Sequence, residues 1–300
     1  MALDSWLQSG KQIILGGMKL SRSLPLALAF SSALLISVSS LPAMGLINGE
    51  TVGQAISQSG NPASRAEDEF LRKHVVAVVD LKLGRSMCTG ILIRPSVVLT
   101  AAHCVTSSYT DLAILFSLDL SPSGTPLDSS KLTRVSFGVV PDPWIEFKQG
   151  KPTSNGRGDL ALLRLATPAP ASHEPFAIFE TTQMVSQALP KGTPVLFAGF
   201  GFVNQAEKLH PESLQKITLP LSKDRYNETE AKFDQPFSGV CSGDSGGPSF
   251  IRVDNSTDWQ LYGINSYGSA QCVGKFGYIA VTRVASHANW LEEMIAKLEE

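Results

Sequence analysis

Three short strings in this 300-residue chain hold side chains that together could activate a hydroxyl for attack on a carbonyl. Thr100-Ala101-Ala102-His103-Cys104 offers a histidine between small neighbours and a cysteine. Asp159-Leu160-Ala161-Leu162-Leu163 sets a carboxylate at the mouth of an apolar run, and Gly243-Asp244-Ser245-Gly246-Gly247-Pro248 embeds a serine in glycine. A serine hydroxyl is a poor nucleophile until a neighbouring base takes its proton. Histidine suits that task because its ordinary pKa lies near working pH, and a buried carboxylate behind the ring fixes its tautomer and steadies the imidazolium. Glycines around Ser245 let the backbone approach a substrate closely. The N–H groups of Gly243 and Ser245 can then face a developing oxyanion, where one such donor is worth roughly 3–4 kcal/mol. Asp142 competes for the role of the acid, but it sits between Pro141 and Pro143 with no apolar strand after it.

The elements that must hold these groups read as strands. Short apolar runs at 74–83, 90–100, 112–118, 160–165, 194–199, 261–266 and 278–284 are separated by Gly, Pro, Ser and Asn. This pattern predicts an all-β protein of barrels or sandwiches. One helix is predicted at the end, where Val284, His287, Leu291, Met294, Ile295 and Leu298 share a face at helical spacing. The polar stretches 121–131, 149–158 and 222–235 read as surface loops. Four cysteines fall in two local groups, Cys88 with Cys104 and Cys241 with Cys272, and allow three pairings between which composition cannot choose. The net charge of −2 gives no electrostatic reason to expect nucleic acid or an anionic membrane as partner.

At the N-terminus, Lys19 and Arg22 precede the apolar, serine-dotted run 24–41, and Ala43-Met44-Gly45 follows as a small-x-small cleavage pattern. Residues 1–45 therefore read as a signal peptide, with Met18 as an alternative start and 46–300 as the mature domain. The run is long enough that an uncleaved anchor is the competing reading. Export makes the location secreted or periplasmic and permits disulfides. No stable membrane association is expected after signal removal.

From Ile47 to the C-terminus, and on the order His103, Asp159, Ser245 within these strings, the chain resembles the chymotrypsin/trypsin-like serine proteases, in their bacterial secreted form. The resemblance implies two six-stranded antiparallel β-barrels with a C-terminal helix and the active site in the cleft between them. It implies a serine endopeptidase acting on a protein or peptide substrate as a monomer, with no cofactor and no metal. His103 would be base then acid, Asp159 its orienting acid, Ser245 the nucleophile, and Gly243 with Ser245 the oxyanion hole. It also implies disulfides Cys88–Cys104, bracing the histidine loop, and Cys241–Cys272, bracing the pocket wall. Asp244 would pair with a freshly cut N-terminal ammonium, matched here to Ile47 in Ile47-Asn48-Gly49-Glu50. No Arg or Lys precedes that match, only Leu46, so either signal removal with trimming or another protease exposes it, or activation needs no ion pair. Counting from Cys241 puts Gly239 and Val240 at the pocket base with no carboxylate. Ser266-Tyr267-Gly268 matches the strand that pairs with the substrate backbone, and Ile279 the far wall, with Gly277 there instead if chain length around 276–278 shifts the match by two. The expected preference is a small or medium apolar side chain at P1, the residue before the cut.

Gly-Asp-Ser-Gly-Gly also satisfies the Gly-x-Ser-x-Gly elbow of α/β-hydrolases. That fold needs its acid and histidine after the serine, and only His287, on the apolar face of the terminal helix, follows Ser245. The chain also lacks the alternation of strands and long helices such a fold requires. Two rivals within the resembled fold are a binding module released from catalysis and an enzyme locked for want of processing.

Overall fold

The computed structural model describes residues 45–53, 61–105, 108–120, 125–151, 156–178, 188–252 and 258–300. The signal segment and its cleavage pattern up to Met44 lie outside them. Among the described residues no helix is long and apolar enough to cross a membrane.

Among the described residues thirteen strands carry the fold. The first to be followed is the two-residue β1 (Glu50–Thr51). Next come β2 (Val75–Asp80), β3 (Arg85–Arg94), β4 (Val97–Thr100), β5 (Leu112–Leu115), β6 (Leu132–Val139) and β7 (Ala161–Leu165). The strands β2 to β7 close into an antiparallel barrel in the order β2-β3-β4-β7-β6-β5. The Val-Val-Ala-Val-Val run of β2 is buried throughout, as suits β-branched side chains packed on a pleated surface. The expected single strand 90–100 is two, because Pro95 and Ser96 turn the chain between β3 and β4.

The second half supplies β8 (Pro194–Gly199), β9 (Gln215–Pro220), β10 (Glu230–Asp234), β11 (Pro248–Arg252), β12 (Trp259–Gly268) and β13 (Tyr278–Arg283). These six make up the second of the two β-layers, in keeping with the expected double-barrel fold. They form a seven-stranded sheet in the order β1-β9-β8-β11-β12-β13-β10. The seventh strand is β1, which pairs Glu50 with Lys216 and Thr51 with Gln215 and so occupies the edge of β9. The stretch 222–235, expected as a surface loop, contains β10. Its Glu230, Ala231 and Phe233 are buried against β13.

Two helices were not expected. Pro62–His74 starts with Asn61 accepting the Ala63 N–H (3.0 Å) and ends on Arg72, Lys73 and His74, a favourable cap and dipole arrangement. It is tied to the second sheet by Lys216, whose ammonium lies 2.7 Å from both Glu67 and Asp68. The shorter helix, Asp142–Lys148, lies beside the site. The expected terminal helix runs Ala288–Glu299 after a 3-10 turn, with Val284, Leu291, Ile295 and Leu298 buried. His287 is half-buried on the 3-10 turn, and burial pushes its pKa down to about 4, which keeps it neutral near pH 7.

Candidate active site

The histidine string leaves the barrel at the end of β4. Ala101 and Ala102 are fully buried, which only small side chains allow there, and a single 3-10 turn, Ala102–Cys104, swings His103 outward. A disulfide from Cys104 to Cys88 on β3 fastens that turn, with Cα atoms 6.1 Å apart. Asp159 approaches from the start of β7, buried. Its Oδ1 accepts the His103 backbone N–H (2.9 Å) and its Oδ2 lies 2.8 Å from His103 Nδ1. An ionised carboxylate can only accept, so Nδ1 carries a proton, the tautomer that in a neutral ring leaves the Nε2 lone pair open. Ser266 Oγ donates to the same Oδ2 at 2.5 Å. Burial opposes the charge on Asp159, but hydrogen bonds from His103 and Ser266 outweigh it and hold the carboxyl below its ordinary value. The loop before Asp159 needs glycine at 158. There φ is +60°, and a Cβ would meet Pro143 at 2.9 Å.

The serine string crosses from the second sheet to touch the barrel. Thr89 on β3 donates its N–H to the Ser245 carbonyl (2.8 Å) and its hydroxyl to the Gly243 carbonyl (3.0 Å). The Ser245 carbonyl is also 3.7 Å from Cys104 Sγ, next to His103. Gly246 fills the seam itself. At φ +78°, an added Cβ would fall 2.0 Å from Thr100 Oγ1, 2.4 Å from the Thr89 carbonyl and 2.9 Å from the Ala101 nitrogen. The backbone donors of the strap are sorted in a telling way. Asp244, Gly246 and Gly247 give their N–H groups to Cys241, Asn265 and Asp244 carbonyls. Gly243 (φ +99°) and Ser245 have no acceptor among the described residues.

Asp244 is fully buried. Its oxygens accept N–H bonds from Gly201 (2.8 Å) and Cys241 (2.9 Å), and burial pushes its pKa up to about 7. No cation reaches it in the unbroken chain among the described residues. Ile47 is half-buried, its carbonyl accepts the Gly239 N–H, and the two residues form an antiparallel bridge. Leu46, which that register sets opposite Val240, is completely buried in the second core with Val240, Phe197 and Leu219.

Behind Gly239 lies Gln235, which sequence reading missed because it fell in a presumed loop. Its amide is fully engaged with Val240 N (2.8 Å), Val240 O (3.1 Å) and Cys272 O (2.8 Å), and a Cβ on Gly239 would meet it at 2.3 Å. The second disulfide, Cys241–Cys272, joins the strap to the loop before β13. On β12 and β13, Ile279 stands opposite Gly268 and Ala280 opposite Tyr267. The strand β11 begins at Pro248 opposite Ile264, so β12 runs past it and leaves the backbone of Ser266 to Gly268 without a β11 partner on that side. Cys88, His103 and Cys104 bring nitrogen and sulfur atoms within 4.8 Å, but both sulfurs are committed to the disulfide and offer no thiolate.

A Trypsin family model matches residues 68–291, about three quarters of the chain. The chain belongs to the trypsin family. Human kallikrein-2 is 29% identical to it over 233 residues, which covers 71% of this chain and 82% of the kallikrein. Trypsin-family membership makes this a serine-protease relative whose substrates are proteins. It agrees with a fold of two β-layers, one a closed six-stranded barrel, and a C-terminal helix.

Proposed function

We propose that this chain is a secreted or periplasmic endopeptidase in which Ser245 attacks the scissile carbonyl carbon. His103 Nε2 takes the Oγ proton, Asp159 holds the imidazolium from the far side, and Gly243 and Ser245 N–H receive the oxyanion. Collapse of the tetrahedral adduct passes the proton from Nε2 to the leaving amine, and water repeats the cycle on the acyl-enzyme. The observation that carries the reading is the pair of open N–H groups flanking Ser245, in a strap whose other donors are all used. Both disulfides support an oxidising location. The test is intact mass before and after a fluorophosphonate. One adduct on the wild type and none on Ser245→Ala is expected, while an unlabelled, folded wild type with a free terminus would leave a binding module.

A small or medium apolar P1 residue suits a floor of Gly239 backed by an already saturated Gln235, and a wall that includes Ile279 opposite Gly268. Cleavage dominated by Arg or Lys at P1 in a peptide library would refute it. For activation, Leu46 suits the role of the new terminus better than Ile47. Its side chain is already buried, and its backbone lies one step along the bridge from Cys241, whose N–H bonds Asp244. Cleavage after Gly45 would make the Leu46 amide an ammonium without any trimming. An unbroken chain, with Asp244 lacking a cation, would be the locked form.

A further inference from the structure

Arg157 stands two residues before Asp159, and the mechanism above gives it no part. Its guanidinium carbon lies 3.6 Å from the centre of the Tyr267 ring and 4.8 Å from that of Phe147. Such a sandwich fixes the plane of the group and leaves its N–H edge to face outward. The stack is anchored from below. Arg157 N–H donates to Glu230 Oε1 (3.1 Å), while Tyr267 OH and Asn227 Nδ2 donate to Glu230 Oε2 (2.7 Å each). Gly156 lies so close to this turn that a Cβ would fall 1.9 Å from Thr229 Oγ1. Glu230 is fully buried and both its oxygens are spent on these donors. Among the described residues no carboxylate pairs with the Arg157 guanidinium and no acceptor takes its N–H groups.

We propose that Arg157 selects substrates with an acidic side chain at the second or fourth residue before the cleaved bond. The inference rests on the endopeptidase reading and adds a substrate class to it. A substrate strand laid on the uncovered edge Ser266–Gly268 runs past the Tyr267 ring on which Arg157 is stacked. Alternation along an extended chain puts the second and fourth side chains on one face. That face is the one carrying Asp159 and His103, since Arg157 shares the Asp159 loop and Ser266 bonds Asp159. A prefixed guanidinium fork with open donors is the complement of a carboxylate, and it repels Lys and Arg at the same position.

The test is a library of fluorogenic peptides with a fixed apolar P1 and every residue at the second and fourth positions. It is read as kcat/KM per fluorophosphonate-titrated site. Wild type is expected to favour Asp or Glu over Ala at one of these positions by roughly five- to tenfold, chiefly through KM and less at high salt. Arg157→Gln should bring that ratio near unity, and Arg157→Glu should invert it toward Lys and Arg, a reversal that a merely structural role would not give. If neither variant folds, the salt dependence of the wild-type preference decides. A flat wild-type profile with labelled sites, or an acid preference that survives Arg157→Gln, overturns the inference and leaves the protease reading standing. Failure of any preparation to take the label overturns both.

Discussion

Replacing Gly246 by alanine tests whether the seam between barrel and sheet sets the chemistry. The residue sits at φ +78°, where a Cβ costs about 1–2 kcal/mol by itself. The new methyl would also meet three atoms of the barrel at 2.0, 2.4 and 2.9 Å, two of them backbone. The nearest, Thr100 Oγ1, cannot swing aside freely because it donates to the Thr89 carbonyl at 2.7 Å. Relief therefore requires the strap to retreat from β3 and β4, at a further ~1–3 kcal/mol for overpacking. Retreat separates Ser245 from His103, and a displacement of about 1 Å can cost 100-fold in rate. Gly192→Ala is the matched control. It has φ +90° with nothing within 4 Å of the added carbon, so it carries the backbone cost alone. Thermal melts should show Gly246→Ala losing about 2–5 kcal/mol against about 1–2 for the control, with fluorophosphonate labelling at least 100-fold slower only for Gly246→Ala. If the two variants behave alike, the seam does not position the nucleophile and the reasoning fails.

Three further outcomes are expected. Fusions cleaved to begin at Gly45, Leu46 or Ile47 should label fastest when Leu46 leads, and an Ile47 form that labels faster would restore the original match. Gly239→Asp should not create a preference for Arg or Lys, because its Cβ meets Gln235 at 2.3 Å. Poorer folding is expected instead, and tight binding of a basic inhibitor would contradict the account of the pocket floor. Acid should destabilise the fold through His287, whose folded pKa of about 4 lies below the ordinary 6.5. The unfolded chain then binds the extra proton, so stability is full above pH 6.5 and falls as pH drops toward 4, by up to about 3 kcal/mol. Melts of His287→Gln across that window should be flatter than those of wild type, and an unchanged slope would count against it.

The proposed reactive groups were legible because their chemistry demands particular residue types in particular company. His103 after two alanines, and Ser245 among glycines that take positive φ or touch neighbouring backbone, are requirements written in composition. The strands were legible where β-branched runs are long, as in β2, and illegible where burial is carried by single residues. In β10, Glu230, Ala231 and Phe233 are interior although the stretch reads as polar, because Glu230 is buried only by virtue of donors arriving from Arg157, Asn227 and Tyr267. The bridge between Ile47 and Gly239, which sets the buried Leu46 opposite Val240, had no sequence signal, since it follows from which backbone oxygen meets Gly239. Arg157 and Gln235 were invisible for a similar reason. An isolated arginine or glutamine declares nothing until the partners that saturate it, or leave it open, are in place.

Thr89 links the two halves with three groups at once. Its hydroxyl accepts the Phe200 N–H (3.1 Å) while donating to Gly243, and its own amide holds Ser245. A chain in which both β-layers have formed but not yet met would show nearly all of its secondary structure and none of its reactivity. On the proposed mechanism, activity would report docking of the two layers. Under mild denaturant, labelling of Ser245 should vanish while far-ultraviolet circular dichroism still registers an intact fold.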